Sequence, residues 1–106
     1  MTKFGKFSHA IEDYLKAIYE LQQRNSPVTT SALANRMGYA PASVTGMLQK
    51  MSANSPILVK YTSHKGVVLT STGEKIALEI IRHHRLIELY LIEALGYKSD
   101  QVHDSI

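Results

Sequence analysis

The sequence of 106 residues predicts a mainly α-helical protein with one small β-hairpin: a winged helix-turn-helix followed by a long helix. Three observations predict this class. Apolar residues recur at helical spacing in three segments before residue 54, two β-branched runs then flank a Gly-containing loop, and the helical period returns from Ser71. A short helix, a turn, a second helix and then a hairpin is the order of a winged helix-turn-helix.

The first helix is predicted from Ser8, a residue type that caps helices, to near Arg24. Leu15 and Ile18 lie on one apolar stripe with the 3.6-residue period of an amphipathic helix. Residues 25–27, Asn-Ser-Pro, end it.

The next two helices are separated by a glycine turn. A short helix is predicted over residues 31–37, with Thr30 or Ser31 as its cap, and Gly38 ends it because glycine readily adopts a left-handed conformation. Pro41 suits the first turn of the third helix, where its missing N–H costs nothing. The apolar positions of that helix are Val44, Leu48 and Met51.

The second half begins with the hairpin. Strands are predicted over residues 57–61 and 67–70, joined by the loop 62–66. The last long helix starts at Ser71, which forms a capping-box pattern with Glu74, and runs about 23 residues to near Ala94. Residues 99–103 look like the start of one more helix.

Composition excludes several classes of protein. The chain has no Cys, so disulfides, thiolate metal sites and Cys nucleophiles are excluded. No apolar run is long enough to span a membrane, and residues 1–10 do not resemble a signal peptide, so we expect a cytoplasmic protein with no membrane partner. No phosphate-binding glycine loop or catalytic motif is present, and we do not expect an enzyme.

Charge is unevenly distributed along the chain. Residues 1–75 hold nine Lys and Arg against four Asp and Glu, a net charge of +5, whereas residues 76–106 carry a net charge of −2. A basic first part indicates a nucleic-acid surface, although many solvated protein faces carry a similar bias.

The third helix carries the strongest candidate for DNA recognition. Its polar face offers hydroxyl, amide and ammonium groups for base edges and phosphates, and its small residues leave room for close approach to DNA. The candidate DNA-binding residues are Arg36, Ala42, Ser43, Thr45, Gly46, Gln49 and Lys50, together with Lys65 at the wing tip. The alternative is an ordinary amphipathic helix whose polar face meets water, with basic residues that serve solubility alone.

A second pattern indicates metal binding. His84 and Glu88 are four residues apart and therefore neighbours on one helix face, and imidazole with carboxylate suits manganese, iron or zinc. Asp13 and His103 offer further ligands, but spacing alone does not show that the four residues converge. The alternative for His84 and Glu88 is a surface hydrogen bond.

Several segments together resemble the diphtheria-toxin-repressor family of metal-dependent transcriptional regulators, which includes the manganese transport regulators. They are IEDYLKAIYEL at 11–21, PASVT at 41–45, KGVVLTSTG at 65–73, HRLIE at 84–88 and VHD at 102–104. They occur in family order and span nearly the whole chain. The resemblance implies a winged helix-turn-helix DNA-binding domain over residues 1–72 and the first part of a metal-binding and dimerisation domain over residues 73–106.

The resemblance also implies a function and a ligand set. It implies a cytoplasmic repressor that is a homodimer as a full-length protein. Such a repressor binds double-stranded palindromic operators when manganese(II), or secondly iron(II), is plentiful, and shuts off metal-uptake genes. His84, Glu88 and His103 fall where the family has an ancillary metal site, and Asp13 falls at a regulatory-site position. Asp at that position resembles the manganese-sensing branch, and a hard carboxylate favours manganese. Lys16 departs from a manganese-sensing subgroup that has Glu there.

The family continues past the position of Ile106 with the remaining regulatory ligands, so we expect this chain as given to bind operator DNA weakly and with little dependence on metal. Two alternatives stay open: a winged-helix regulator that needs no metal and, in a different class, a winged-helix module that binds protein partners.

Overall fold

The computed structural model describes residues 8–95, which form four helices and one two-stranded sheet. In chain order they are α1 (His9–Gln22), α2 (Thr30–Met37), α3 (Pro41–Ala53), β1 (Val59–Thr62), β2 (Gly66–Leu69) and α4 (Ser71–Leu95). The mainly helical class with a small hairpin is confirmed. The predicted helix start at 99–103 lies outside the described residues.

Helix α1 begins as predicted and ends two residues earlier than predicted. The Ser8 Oγ accepts a hydrogen bond of 3.2 Å from the N–H of Ile11, which satisfies a donor of the first turn. The last residue of the helix is Gln22, and Arg24 already lies in the following turn. The buried face of α1 consists of Tyr14, Leu15, Ala17 and Ile18.

Helix α2 is capped by Thr29, so the predicted cap at Thr30 or Ser31 is wrong. Thr29 has an extended backbone and its Oγ1 accepts the N–H of Ala32 at 3.0 Å, whereas Thr30 is already helical. Gly38 ends the helix with φ of +74°, as predicted. Helix α3 then starts at Pro41, also as predicted.

The hairpin pairs β1 with β2 in antiparallel register, with Val59 opposite Leu69 and Thr62 opposite Gly66. Both strands are displaced from the predicted spans 57–61 and 67–70. The ladder begins at Val59, so Ile57 lies before it. The Ile57 carbonyl accepts a hydrogen bond of 2.8 Å from the Thr70 hydroxyl, which follows β2. The wing is confirmed, and its tip is the turn at residues 63–65.

Helix α4 is 25 residues long and starts at Ser71, but Ser71 is not its cap. The Thr70 Oγ1 accepts the N–H of Gly73 at 3.0 Å, and the Thr70 carbonyl accepts the N–H of Glu74 at 2.8 Å. The predicted capping box of Ser71 with Glu74 is therefore wrong. Thr70 lies one position earlier and fulfils the capping role, while the Glu74 carboxylate bonds Gln22 of α1.

A single apolar core holds these elements together. Helix α1 packs along α4 and against α2 and β2, and α3 packs against α2 and β1. The core ends partway along α4, at Ala77 and Ile80. No helix within residues 8–95 is both long enough and apolar enough to cross a membrane. The largest side chains that are fully buried are Leu15, Ile18, Leu33, Val44, Leu48, Val59, Val67 and Ile80.

Candidate DNA-binding surface and metal-ligand positions

Helix α3 presents one face to the core and one face to solvent. Val44, Leu48 and Met51 are buried, and they anchor the helix against α2 and β1. Of the predicted DNA-binding residues on α3, Thr45 is half-buried and the others are exposed: Ala42, Ser43, Gly46, Gln49 and Lys50. A Cβ added at Gly46 would contact nothing within 4 Å, so this part of the helix is open to a close approach.

A groove lies between the middle of α3, the start of α2 and the wing. We call it the wing groove; it encloses about 460 Å³. Its lining consists of hydroxyl groups, an imidazole, an ammonium group and one glycine: Thr29, Thr30, Ser31, Thr45, Tyr61, Ser63, His64, Lys65 and Gly66. A groove lined by neutral donors and a cation suits the phosphate backbone of DNA.

The sequence predictions include only part of this groove. Thr45 and Lys65 were predicted as DNA-binding residues, whereas Thr30, Ser31, Tyr61 and Ser63 were not. The cluster of three hydroxyl residues at the start of α2 is the sequence signal that could have identified Thr30 and Ser31. N–H groups at helix N-termini and hydroxyl side chains both contact phosphates.

The wing tip has a strained backbone. His64 adopts φ of +67°, in the left-handed region, and the N–H of Lys65 donates to the carbonyl of Thr62 at 3.0 Å. This turn leaves the side chains of His64 and Lys65 exposed.

Two predicted DNA-binding residues line other pockets. Arg36 pairs with Glu20 of α1 and, with Lys16, lines a pocket of about 230 Å³. Lys50 lines a third pocket beside Met47 and Met51. The predicted set therefore divides between the wing groove and neighbouring surfaces.

Three of the four metal-ligand candidates lie on α1 and α4, two helices that pack against each other. Asp13 is exposed on α1, His84 is half-buried on α4, and Glu88, one turn later, is only 7% exposed. The Arg85 Nη1 lies 3.4 Å from the Glu88 Oε1. A buried carboxylate is either paired with a cation or coordinates a metal ion, and Arg85 supplies such a cation for Glu88.

Electrostatics relate His84 to α1. Burial lowers the pKa of His84 below its ordinary value of 6.5, and the positive charges of Lys16 and His83 lower it further. The carboxylates of Glu12 and Asp13 act in the opposite direction and raise it, so charged groups of α1 as well as of α4 influence the imidazole. A lowered pKa favours the neutral imidazole that binds metal ions.

Convergence is incomplete within the described residues. Over residues 8–95, no group of three or more His, Asp or Glu side chains is positioned to hold a metal ion. His103, the fourth predicted ligand, lies outside the described residues. Within this part, His84 and Glu88 lie one turn apart on α4, and charged groups of α1 that include Asp13 influence the pKa of His84.

Comparison with known proteins identifies the family. A family described as iron dependent repressor, N-terminal DNA binding domain, matches residues 6–67, and its metal binding and dimerisation domain matches residues 70–106. The chain belongs to this family. The predicted resemblance to the diphtheria-toxin-repressor group is thereby confirmed, together with its manganese-regulator branch.

Its relatives are transcriptional regulators. The HTH-type transcriptional regulator MntR of Oceanobacillus iheyensis is 33% identical over 97 residues, which are 92% of this chain and 64% of that protein. An uncharacterized HTH-type transcriptional regulator of Methanocaldococcus jannaschii is 36% identical over 90 residues, 84% of this chain and 70% of that protein. MntR of Bacillus subtilis is 30% identical over 97 residues, 92% of this chain and 66% of that protein.

Solved structures of the family share the fold. The metal-dependent transcriptional regulator MtsR superposes with a TM-score of 0.76 at 34% identity, and the manganese regulator SloR with 0.72 at 35%. These matches cover 89% and 90% of this chain but 43% of each of those chains. The chain therefore spans less than half the length of these solved relatives.

Proposed function

We propose that this protein is a cytoplasmic, metal-dependent transcriptional repressor that binds DNA through its winged helix and controls metal-uptake genes. We propose no enzymatic activity for it. The observation that carries the proposal is the exposed polar face of α3 beside the wing groove. Family membership supports it, because the matched relatives are transcriptional regulators.

In this proposal, α3 enters the major groove of double-stranded DNA. Ser43 and Gln49 face base edges, where Gln pairs with adenine, and Gly46 and Ala42 allow the helix to lie close to the bases. Lys65 and Lys50 neutralise phosphates, and Thr45 contributes a hydroxyl within the wing groove. Arg36 contacts the backbone after exchanging its Glu20 partner for phosphate.

We further propose that residues 1–72 form the DNA-binding domain and that residues 73–106 begin the metal-binding and dimerisation domain. The far half of α4 supports a homodimer, because three large apolar side chains there are exposed: Leu86 (66%), Leu89 (42%) and Tyr90 (64%). A homodimer would read a palindromic operator, since its symmetry matches two half-sites.

Manganese(II) is the proposed metal, and iron(II) is the second choice. The nitrogen of His84 and the oxygens of Glu88 and Asp13 are ligand types that suit these ions, and the lowered pKa of His84 keeps the imidazole neutral. His103 is proposed as a further ligand. A bound ion would supply a link between α1 and α4, which carry these ligands.

A calorimetric titration of the protein with Mn²⁺ tests the proposed metal ligands. Loss of a hydrogen-bonding partner of a metal ligand typically weakens metal binding by about 10–100-fold, and H84A is expected to weaken Mn²⁺ binding by at least as much, because it removes a ligand itself. The control is H64A, which changes an exposed histidine at the wing tip and should leave the Mn²⁺ affinity unchanged. Equal effects of H64A and H84A would contradict the proposed site.

A further inference from the structure

Residues from outside the hairpin form hydrogen bonds with the edge of β2 that faces away from β1. Val28 exchanges two backbone hydrogen bonds with Val67, of 2.9 and 2.8 Å, on the side of β2 that faces away from β1. Backbone groups alternate along an antiparallel strand, so the N–H of Leu69, two residues later, points to that same side. It donates there to the Gln22 Oε1, at 3.3 Å.

The other end of the same amide reaches α4. The Gln22 Nε2 donates to the Glu74 Oε2 at 3.2 Å. Gln22 is the last residue of α1, Leu69 is the last residue of β2, and Glu74 lies in the first turn of α4. One amide, which carries both a donor and an acceptor, therefore joins the ends of three elements.

We propose that Gln22 is a positioning residue for DNA binding, which fixes the base of the wing against α1 and α4 and so sets the position of the wing tip. This inference rests on the proposed function. A hairpin of two four-residue strands has little stability of its own, so its orientation depends on contacts at its base. A rotation at Leu69 would move Lys65, at the other end of the wing, relative to α3.

The chain offers a matched control in the next residue. The Gln23 Nε2 donates to the Tyr19 carbonyl at 3.1 Å, which is a contact within the α1 region alone. Q22A and Q23A remove the same chemical group from adjacent positions, but only Q22A breaks the link between α1, β2 and α4.

The first measurement is the affinity for a fluorescent duplex selected by the wild-type chain from a random pool. We expect Q22A to bind the duplex about fivefold more weakly than wild type, which corresponds to the net contribution of about one hydrogen bond. We expect Q23A to bind like wild type. Amide exchange at Leu69 should accelerate in Q22A alone. Equal affinities of Q22A and wild type would overturn the proposal.

A charge-exchange pair tests the geometry. Q22E keeps the acceptor for Leu69 but places a carboxylate against that of Glu74, so binding should weaken. Adding E74Q restores a donor to this contact, and Q22E/E74Q should recover wild-type affinity. Failure of the double variant to recover, while it unfolds at the wild-type temperature, would count against the proposal.

A double-mutant comparison with Lys65 distinguishes a positioning role of Gln22 from a general loss of protein stability. If Gln22 acts through the wing, K65A should cost less affinity in the Q22A background than in wild type. Additive costs would overturn the positioning role. If wild type itself fails to bind any duplex, the proposed function fails and this role fails with it, whereas an unaffected Q22A overturns the role alone.

Discussion

Two glycines on helices of this chain have opposite surroundings. Gly73 is buried in the first turn of α4, and a Cβ there would overlap the carbonyl of Leu58. Gly46 lies in the middle of α3, and a Cβ there would contact nothing within 4 Å. The fold therefore requires a residue without a side chain at Gly73. In our proposal, close approach of DNA makes the same requirement at Gly46.

The G46A variant separates stability from binding. Alanine favours a helix interior over glycine, so thermal unfolding should show a gain of about 0.5–1 kcal/mol. The added methyl group should at the same time weaken duplex binding, because α3 can no longer approach the bases as closely. A more stable protein with unchanged affinity would show that Gly46 does not face DNA. G73A, the comparison variant, should lose stability.

Single residues also show where sequence reasoning falls short. The caps of α2 and α4 lie within runs of hydroxyl residues, Thr29-Thr30-Ser31 and Thr70-Ser71-Thr72, whose members have similar capping propensity. Propensity could predict a cap in each run, but it could not choose the member. The choice depends on contacts distant in sequence, such as the Thr70 hydroxyl with the Ile57 carbonyl.

At the scale of elements, the start of α4 depends on Thr70. T70A removes the acceptor for Gly73 and the donor for Ile57, so the free energy of unfolding should fall by about 1–2 kcal/mol. The control S71A changes the neighbouring exposed hydroxyl, which is not the cap, and should cost little. Urea unfolding of both variants makes the comparison, and a larger loss for S71A would reverse the assignment.

Element types could be predicted from the sequence better than element contacts. Helical period and turn residues predicted four helices and a hairpin, because these signals are local. The link of Val28 to Val67 and the bridge through Gln22 were not predicted, since they join residues far apart in the chain. The spacing of His84 and Glu88 predicted a shared face on α4. It could not predict that charged groups of α1, Glu12 and Lys16 among them, influence the pKa of His84, because that depends on how the helices pack.

At the scale of the whole molecule, the exposed apolar face at the far half of α4 predicts self-association. Replacing Leu86 and Tyr90 together by Ser should shift the chain toward monomer, since apolar burial stabilises such contacts. Analytical ultracentrifugation would measure the shift. The control K75S changes an exposed residue in the first turns of the same helix and should have no effect. A wild-type chain that stays monomeric at all concentrations would contradict the homodimer.

The salt dependence of duplex affinity decides whether α3 and the wing form a DNA-binding surface. The logarithm of the affinity should fall linearly with the logarithm of salt concentration, by about 0.9 for each phosphate neutralised. K65A should reduce the magnitude of that slope by about one. A wild-type chain that binds no duplex at low salt, or whose affinity does not depend on salt, would show that α3 and the wing do not form such a surface.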